Sequence, residues 1–236
     1  MGKDALGQAV HDYFHKQVKG KLITRADEID DDELPLDTLF RNESELIPIE
    51  KKAISLAKGR ILDVGAGSGA HSVILKEKGF DVTALDISPL AVKTMEERGL
   101  KAICTDIYEF KPEQKYDTIY LFMNGIGICG DINDLPSLLT HLMSLLTDNG
   151  QLIFDTSDLR YLYEDENGEL IEDIELNRYY GQFKFQMEYN GLKTDWFDWV
   201  YIDPTTLDSC CHHLGLKFEV IDEGENYHYL CRITKS

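Results

Sequence analysis

From about residue 45 onward, short apolar runs alternate with stretches of helical periodicity, the pattern of a parallel sheet wrapped by helices. Leu46, Ile49, Ala53 and Leu56 recur at helical spacing ahead of a first strand at 60–64. A glycine-rich loop leads into a helix over roughly 69–78, and a second strand follows at 81–86. Ser88 then offers an N-cap with Pro89 at the first helical position, opening a helix that Gly99 stops. Further strands are predicted at 101–104, 117–123 and 151–156. Between the last two lie the turn NGIGICG (124–130) and a leucine stripe, Leu135, Leu138, Leu139, Leu142 and Leu146, at 3.6-residue spacing.

Beyond residue 180 the period changes to two. Phe183, Phe185, Met187 and Tyr189 alternate with Gln182, Lys184, Gln186 and Glu188, the signature of a half-buried strand. Asn190-Gly191 is a strong hairpin signal, leading to a return strand through Trp196, Trp199 and Tyr201. With a two-residue loop, Phe183, Phe185 and Trp196 share one face, and Trp199 and Tyr201 fall on the other. Asp203-Pro204 starts a last helix, ended by Gly215, and the runs 216–222 and 227–233 form a closing antiparallel hairpin. The expected organisation is a single domain. An N-terminal helical lid (1–44) precedes a ligand-binding half (45–160), an inserted acidic segment with a β-hairpin (161–203), and a terminal helix and hairpin (204–236).

Composition narrows the possibilities. The 24 basic and 43 acidic side chains give a net charge of −19, which repels phosphate backbones and argues against a nucleic-acid partner. The acidic runs 26–34 and 164–175 read as solvated linkers. The five cysteines form no CxxC pair, so no disulfide framework is indicated, and no metal constellation is visible. No apolar run reaches the roughly 18 residues of a membrane span. The N-terminus has no compact apolar block of the secretory kind, so the cytoplasm is the expected compartment.

Candidate chemistry begins at the carboxyl end of the first strand. Gly65, Gly67 and Gly69 let the backbone approach a ligand closely, and the following helix presents free N–H groups. Taken alone the loop is ambiguous, because Gly65, Gly67 and Ala70 also satisfy the looser dinucleotide pattern. Three acids refine it. Asp63 precedes the loop, where a carboxylate suits an ammonium group and repels a pyrophosphate. Asp86 ends the second strand, where an acid accepts ribose hydroxyls. Asp106 ends the third, placed to receive an adenine amino group. An amino acid, a ribose and an adenine would thus meet three acids in chain order, whereas NAD needs only one.

In these residues the chain resembles the class I S-adenosylmethionine-dependent methyltransferases. ILDVGAGSGAHS (61–72), VTALDIS (82–88) and CTDI (104–107) are similar to the family's first three motifs, and the resemblance extends from about residue 45 to the end. It implies an α/β, Rossmann-like doubly wound fold with a mostly parallel seven-stranded sheet and an antiparallel last strand. It also implies S-adenosyl-L-methionine as methyl donor and S-adenosyl-L-homocysteine as product. Asp63, Gly65, Ala66, Gly67 and Gly69 would hold the methionine moiety, Asp86 with Ile87 the ribose, and Asp106 with Ile107 the adenine. Asn124 would touch the cofactor from the turn that is the family's fourth motif. That turn carries no Asn-Pro-Pro-aromatic sequence, which argues against methylation of nucleic-acid bases and for a small-molecule acceptor.

Open α/β sheets bind ligands beyond the carboxyl ends of their strands. The acceptor is therefore expected near 124–130, 156–163 and 223–228, covered by the N-terminal segment and the inserted hairpin. Tyr13, Arg41, Tyr161, Trp199 and Tyr201 are the candidate acceptor contacts, while most other aromatics of the hairpin read as core. His228 lies nearest an active-face loop and is the candidate base. Two alternatives to a methyltransferase stand beside it: an NAD-dependent oxidoreductase, disfavoured by Asp63 and the reversed strand, and a non-catalytic cofactor-binding module or partner-binding subunit.

Overall fold

The computed structural model describes residues 4–164 and 178–236. Its N-terminal segment contributes α1 (Ala5–Phe14), β1 (Leu22–Ala26) and β2 (Asp32–Leu34). Alternating elements follow: α2 (Pro48–Ser55), β3 (Arg60–Val64), α3 (Ala70–Glu77), β4 (Asp81–Asp86), α4 (Pro89–Glu97), β5 (Lys101–Cys104), β6 (Tyr116–Leu121), α5 (Leu135–Leu145) and β7 (Leu146–Ser157). The second half adds β8 (Gln182–Tyr189), β9 (Leu192–Lys193), β10 (Phe197–Val200), α6 (Pro204–His213), β11 (Leu216–Glu223) and β12 (His228–Lys235).

Seven strands form the main sheet in the order β11-β12-β7-β6-β3-β4-β5. All run parallel except β12, which is antiparallel to both β7 and β11. This is the doubly wound sheet with a reversed last strand that the apolar pattern predicts. Leu135, Leu138, Leu139 and Leu142 of α5 are all within 1% of full burial and pack on one face. Leu46, Ile49 and Ala53 pack on the other with Ile74 and Leu75 of α3. Each fully buried leucine contributes about 1.5–3 kcal/mol of apolar burial, so the two helical layers hold the strand tips rigidly. Among the described residues no helix is long and apolar enough to cross a membrane.

The N-terminal segment departs from a purely helical lid. β1 pairs antiparallel with both β2 and β8, so it joins the inserted hairpin in a second sheet, ordered β10-β8-β1-β2 with β9 also on β8. An unpaired β8 edge would leave a row of backbone groups unsatisfied, and β1 covers it. The acidic run 26–34 accordingly contains the β1–β2 turn and β2 itself rather than only linker. Arg25 ties this region together, donating to Glu188 (2.7 and 2.8 Å) and to Asp31 (2.6 Å). The run 164–175 lies outside the described residues apart from Glu164, which pairs with Arg160 at 3.1 Å. α1 lies along α4. Asp4 caps α1 by accepting from the Gly7 N–H (2.8 Å) and also accepts from Ser88 Oγ (2.6 Å), the cap of α4.

The hairpin also corrects the expected faces of its aromatics. Asn190 and Gly191, both at positive φ, form the predicted two-residue turn, with Tyr189 opposite Leu192. Residues 194–196 then leave the ladder, and pairing resumes one residue out of step, Phe197 opposite Phe185 and Trp199 opposite Phe183. Thr194 stabilises the interruption by accepting the Met187 N–H on its hydroxyl (2.9 Å) and returning its own N–H to the Met187 carbonyl (2.9 Å). A one-residue slip moves every following side chain to the other face. Trp199 and Tyr201 therefore share the face of Phe183 and Phe185, and Trp196 is the one left half exposed.

Candidate active site

The glycine loop joins the tip of β3 to α3. Gly65, Gly67 and Gly69 all adopt positive φ (68°, 57° and 79°), the left-handed region that side chains with a Cβ avoid. The three do different work. A Cβ at Gly65 or Gly67 would meet nothing within 4 Å, whereas one at Gly69 would lie 2.5 Å from Leu100 Cδ1 and 2.9 Å from Met95 Cγ. The first two open onto free space at the strand tips; the third lets the loop close onto α4. Ala66 lies between them, its N–H donating to the Leu85 carbonyl at 3.1 Å.

Two of the three acids are buried beside this loop. Asp63 is 2% exposed and accepts from Ser72 Oγ at 2.6 Å. Asp86 accepts the Gly67 N–H on one oxygen and the Ser88 N–H on the other, both at 2.8 Å. Burial raises the pKa of both carboxyls, and for Asp86 the nearby charge of Asp4 adds to the rise against its backbone hydrogen bonds. Asp106 is exposed and accepts the Tyr108 N–H at 2.9 Å. Between Asp86 and Asp106 stands Ile87, 70% exposed, an apolar surface with no side-chain cover. Ile107, by contrast, is 1% exposed, and its side chain belongs to the core.

A second group of polar residues sits at the tips of β6, β7 and β12. Asp63, Tyr120 and Ile153 lie side by side across β3, β6 and β7, so Asp155, two residues beyond Ile153, shares their face. His228 Nε2 lies 2.8 Å from Asp155 Oδ2, which also accepts the Asn124 N–H at 2.9 Å. The hydrogen bond that His228 donates to Asp155 raises the His228 pKa above its ordinary value of 6.5, outweighing the lowering by desolvation. Asn124, at φ 56°, heads the 3₁₀ turn Gly125–Cys129. Among the described residues, Asn124 Oδ1 and Asp155 Oδ1 are buried without a hydrogen-bond partner. Two oxygens with no donor at one site call for a donor from water or ligand.

Arg41, an expected acceptor contact, is tied into a buried cluster. Its guanidinium donates to Glu50 Oε1 at 2.7 Å and to the Thr38 carbonyl at 2.9 Å. Glu50 also pairs with His71 Nε2 at 3.0 Å, and the His71 ring stacks on Phe122 at 3.9 Å. Burial pushes the Glu50 carboxyl up, but His71 and then Arg41 hold it below its usual range. Tyr13 stacks on Phe40 at 4.8 Å in the packing of α1. The other three candidates lie toward the strand tips. Trp199 packs so closely on the turn that a Cβ at Gly127 would be 2.3 Å from its Nε1. Tyr161 stacks on Tyr227 at 5.7 Å, one residue before His228, and Tyr201 packs edge-on against Phe183. Asp155, Glu50 and Phe122 were not singled out in the sequence. For Asp155 a signal exists, since it lies near the carboxyl end of a parallel strand, as Asp86 does.

Comparison with known proteins agrees with this geometry. A methyltransferase-domain family model matches residues 37–220. A crystal structure of an S-adenosylmethionine-dependent methyltransferase from Bacteroides fragilis, in complex with S-adenosyl-L-homocysteine, superposes with a TM-score of 0.92 at 40% identity. The alignment covers 99% of this chain and 95% of that one. An uncharacterized methyltransferase of Staphylococcus carnosus is 26% identical over 199 residues, 84% of this chain and 87% of its own length. A malonyl-[acyl-carrier protein] O-methyltransferase of Ilyobacter polytropus is 34% identical over 111 residues, only 40% of its length. Neither an oxidoreductase nor a non-catalytic module finds support among these relatives. The chain belongs to the class I S-adenosylmethionine-dependent methyltransferases.

Proposed function

We propose that this enzyme methylates a small molecule whose accepting atom carries a proton, a hydroxyl or an amine, with His228 as the base that removes it. The observation that carries the reading is the 2.8 Å pairing of His228 Nε2 with Asp155, at the strand tips where an open sheet binds its ligands.

The cofactor brings a methyl group already activated on a sulfonium. The cradle fits it: open space above Gly65 and Gly67, buried acids at 63 and 86, and the bare face of Ile87 for an adenine to cover. Asp63 with the glycine loop would hold the amino-acid end, Asp86 the ribose, and Asp106 with the Ile107 backbone the adenine. Asp86 and Asp106 each retain lone pairs beyond those given to backbone N–H groups. With Nε2–H donated to Asp155, Nδ1 of His228 is the free acceptor nitrogen, and Asp155 stabilises the imidazolium that forms on proton transfer. Trp199, Tyr201 and Tyr161 would wall the acceptor and exclude water, and aromatic faces suit a cationic donor. Asn124, held by Asp155, ties the turn beside the cofactor to the base. Deprotonation is the reason to favour a hydroxyl or amine, since a carboxylate acceptor needs no base.

Two glycines separate binding from folding. Gly67→Ala costs about 1–2 kcal/mol for a left-handed alanine and fills the cradle, so affinity for S-adenosylhomocysteine should fall while the melting temperature drops by only a few degrees. Gly69→Ala clashes with Leu100 and should lower stability by about 2–4 kcal/mol. Calorimetric titration beside thermal melts reads both, and equal loss of affinity without loss of stability in the two variants would contradict the assignment. The acceptor class is tested with donor labelled in its methyl group and a fractionated cell extract. Label in a low-mass product is expected; label confined to protein or RNA would overturn the small-molecule reading.

A further inference from the structure

His11 in the last turn of α1 and His15 at its C-cap lie with ring centroids 4.4 Å apart and planes tilted by 48°. Glu97, the last residue of α4, brings Oε2 to 2.8 Å from His15 Nε2. One ligand atom from each of the three lies within 4.8 Å of the other two. Among the described residues the His11 ring makes no hydrogen bond of its own, so it is available as a ligand. Lys93 approaches the opposite oxygen of Glu97, Oε1, at 3.9 Å, leaving Oε2 facing the histidines. Methyl transfer uses none of these residues.

We propose that His11, His15 and Glu97 form a site for one zinc-class divalent cation, completed by water, that clamps α1 to α4. Two imidazole nitrogens and one carboxylate oxygen make up the three-ligand set of open zinc sites. Imidazole donors favour Zn²⁺, Co²⁺ or Ni²⁺ over Mg²⁺ and Ca²⁺, which take oxygen ligands. Position gives the site its consequence. α1 and α4 are already joined at their first turns through Asp4 and Ser88, two residues from Asp86. A cation at their last turns would pin the pair at both ends and fix the N-terminal segment against the cofactor half. Two histidines at i and i+4 form only part of a site, and the third ligand comes from a different helix, so the set has no signature in a local stretch of sequence.

The test uses the full chain without a histidine tag, stripped of metal by chelation. Zinc chloride titrated by calorimetry should bind in one saturable equivalent and raise the melting temperature. Cobalt(II) should develop visible d–d bands on the same protein. His11→Ala and Glu97→Gln should each abolish both effects, while their metal-free melts coincide with the parent. The double variant His212→Ala/His213→Ala removes the adjacent exposed pair at the end of α6 and should bind normally. Absence of saturable zinc binding, retention of it in His11→Ala, loss in the His212/His213 variant, or equal binding of magnesium would each overturn the site. None of these readouts depends on methyl transfer, so failure here leaves the proposed function standing.

Discussion

Replacing His228 with alanine is expected to lower kcat by about 10²–10⁴-fold, the usual worth of a positioned base. Affinity for S-adenosylhomocysteine should change little, because the proposed function gives His228 a role toward the acceptor and none toward the cofactor. The pH profile gives the sharper reading. Nδ1 can take a proton only when it is free of one, so the rate should rise with pH through the His228 pKa. Asp155 holds that pKa above 6.5. Asp155→Asn removes the negative charge and lets the pKa fall, so the acid limb should move to lower pH. Its plateau should nevertheless fall, because an amide stabilises the imidazolium less well. A profile unchanged in either variant, or full activity in His228→Ala, would mean that the acceptor arrives without a proton to lose. Asp155→Asn also weakens the hold on the Asn124 N–H, which makes His228→Ala the cleaner variant and Asp155→Asn the test of direction.

Asp86→Ala should weaken cofactor binding by about 1.5–3 kcal/mol, the worth of hydrogen bonds to a charged group, which is roughly 10–150-fold in Kd. The same substitution leaves the Gly67 and Ser88 N–H groups without their acceptor, so some loss of stability should accompany it. Asp86→Asn separates the two effects, since one amide oxygen can still accept from the loop. Burial and the charge of Asp4 raise the pKa of Asp86. Protonation on acidification therefore comes earlier than for an exposed aspartate, and affinity should decline at a correspondingly higher pH. Calorimetry of both variants checks the point; unaltered affinity in Asp86→Ala would remove the ribose assignment.

The main sheet was legible because its code is local. A parallel strand buried on both faces is a short apolar run, and Ser88-Pro89 or a glycine after a helix marks a boundary wherever the chain folds. The proposed cofactor cradle draws on the same local code: Asp63, Asp86 and Asp106 lie at or near the carboxyl ends of strands that the pattern delimits. What escaped depends on partners distant in sequence. Nothing in residues 22–34 announces that β1 will pair with β8, and the one-residue interruption at 194–196 has no signal in an alternating pattern. That slip alone reversed the expected faces of Trp196, Trp199 and Tyr201. Arg41 illustrates a further limit. An arginine near a predicted lid looks free for ligand until the buried Glu50 that claims it is located.

The proposed function stands or falls on whether the strand tips hold an adenosyl cofactor in the cradle of Gly65, Gly67 and Asp86. Calorimetric titration of the purified chain with S-adenosylhomocysteine and, separately, with NAD tests it most directly. One saturable site for S-adenosylhomocysteine, weakened in Asp86→Ala, is expected, with no comparable binding of NAD. Tighter binding of NAD than of S-adenosylhomocysteine would contradict it.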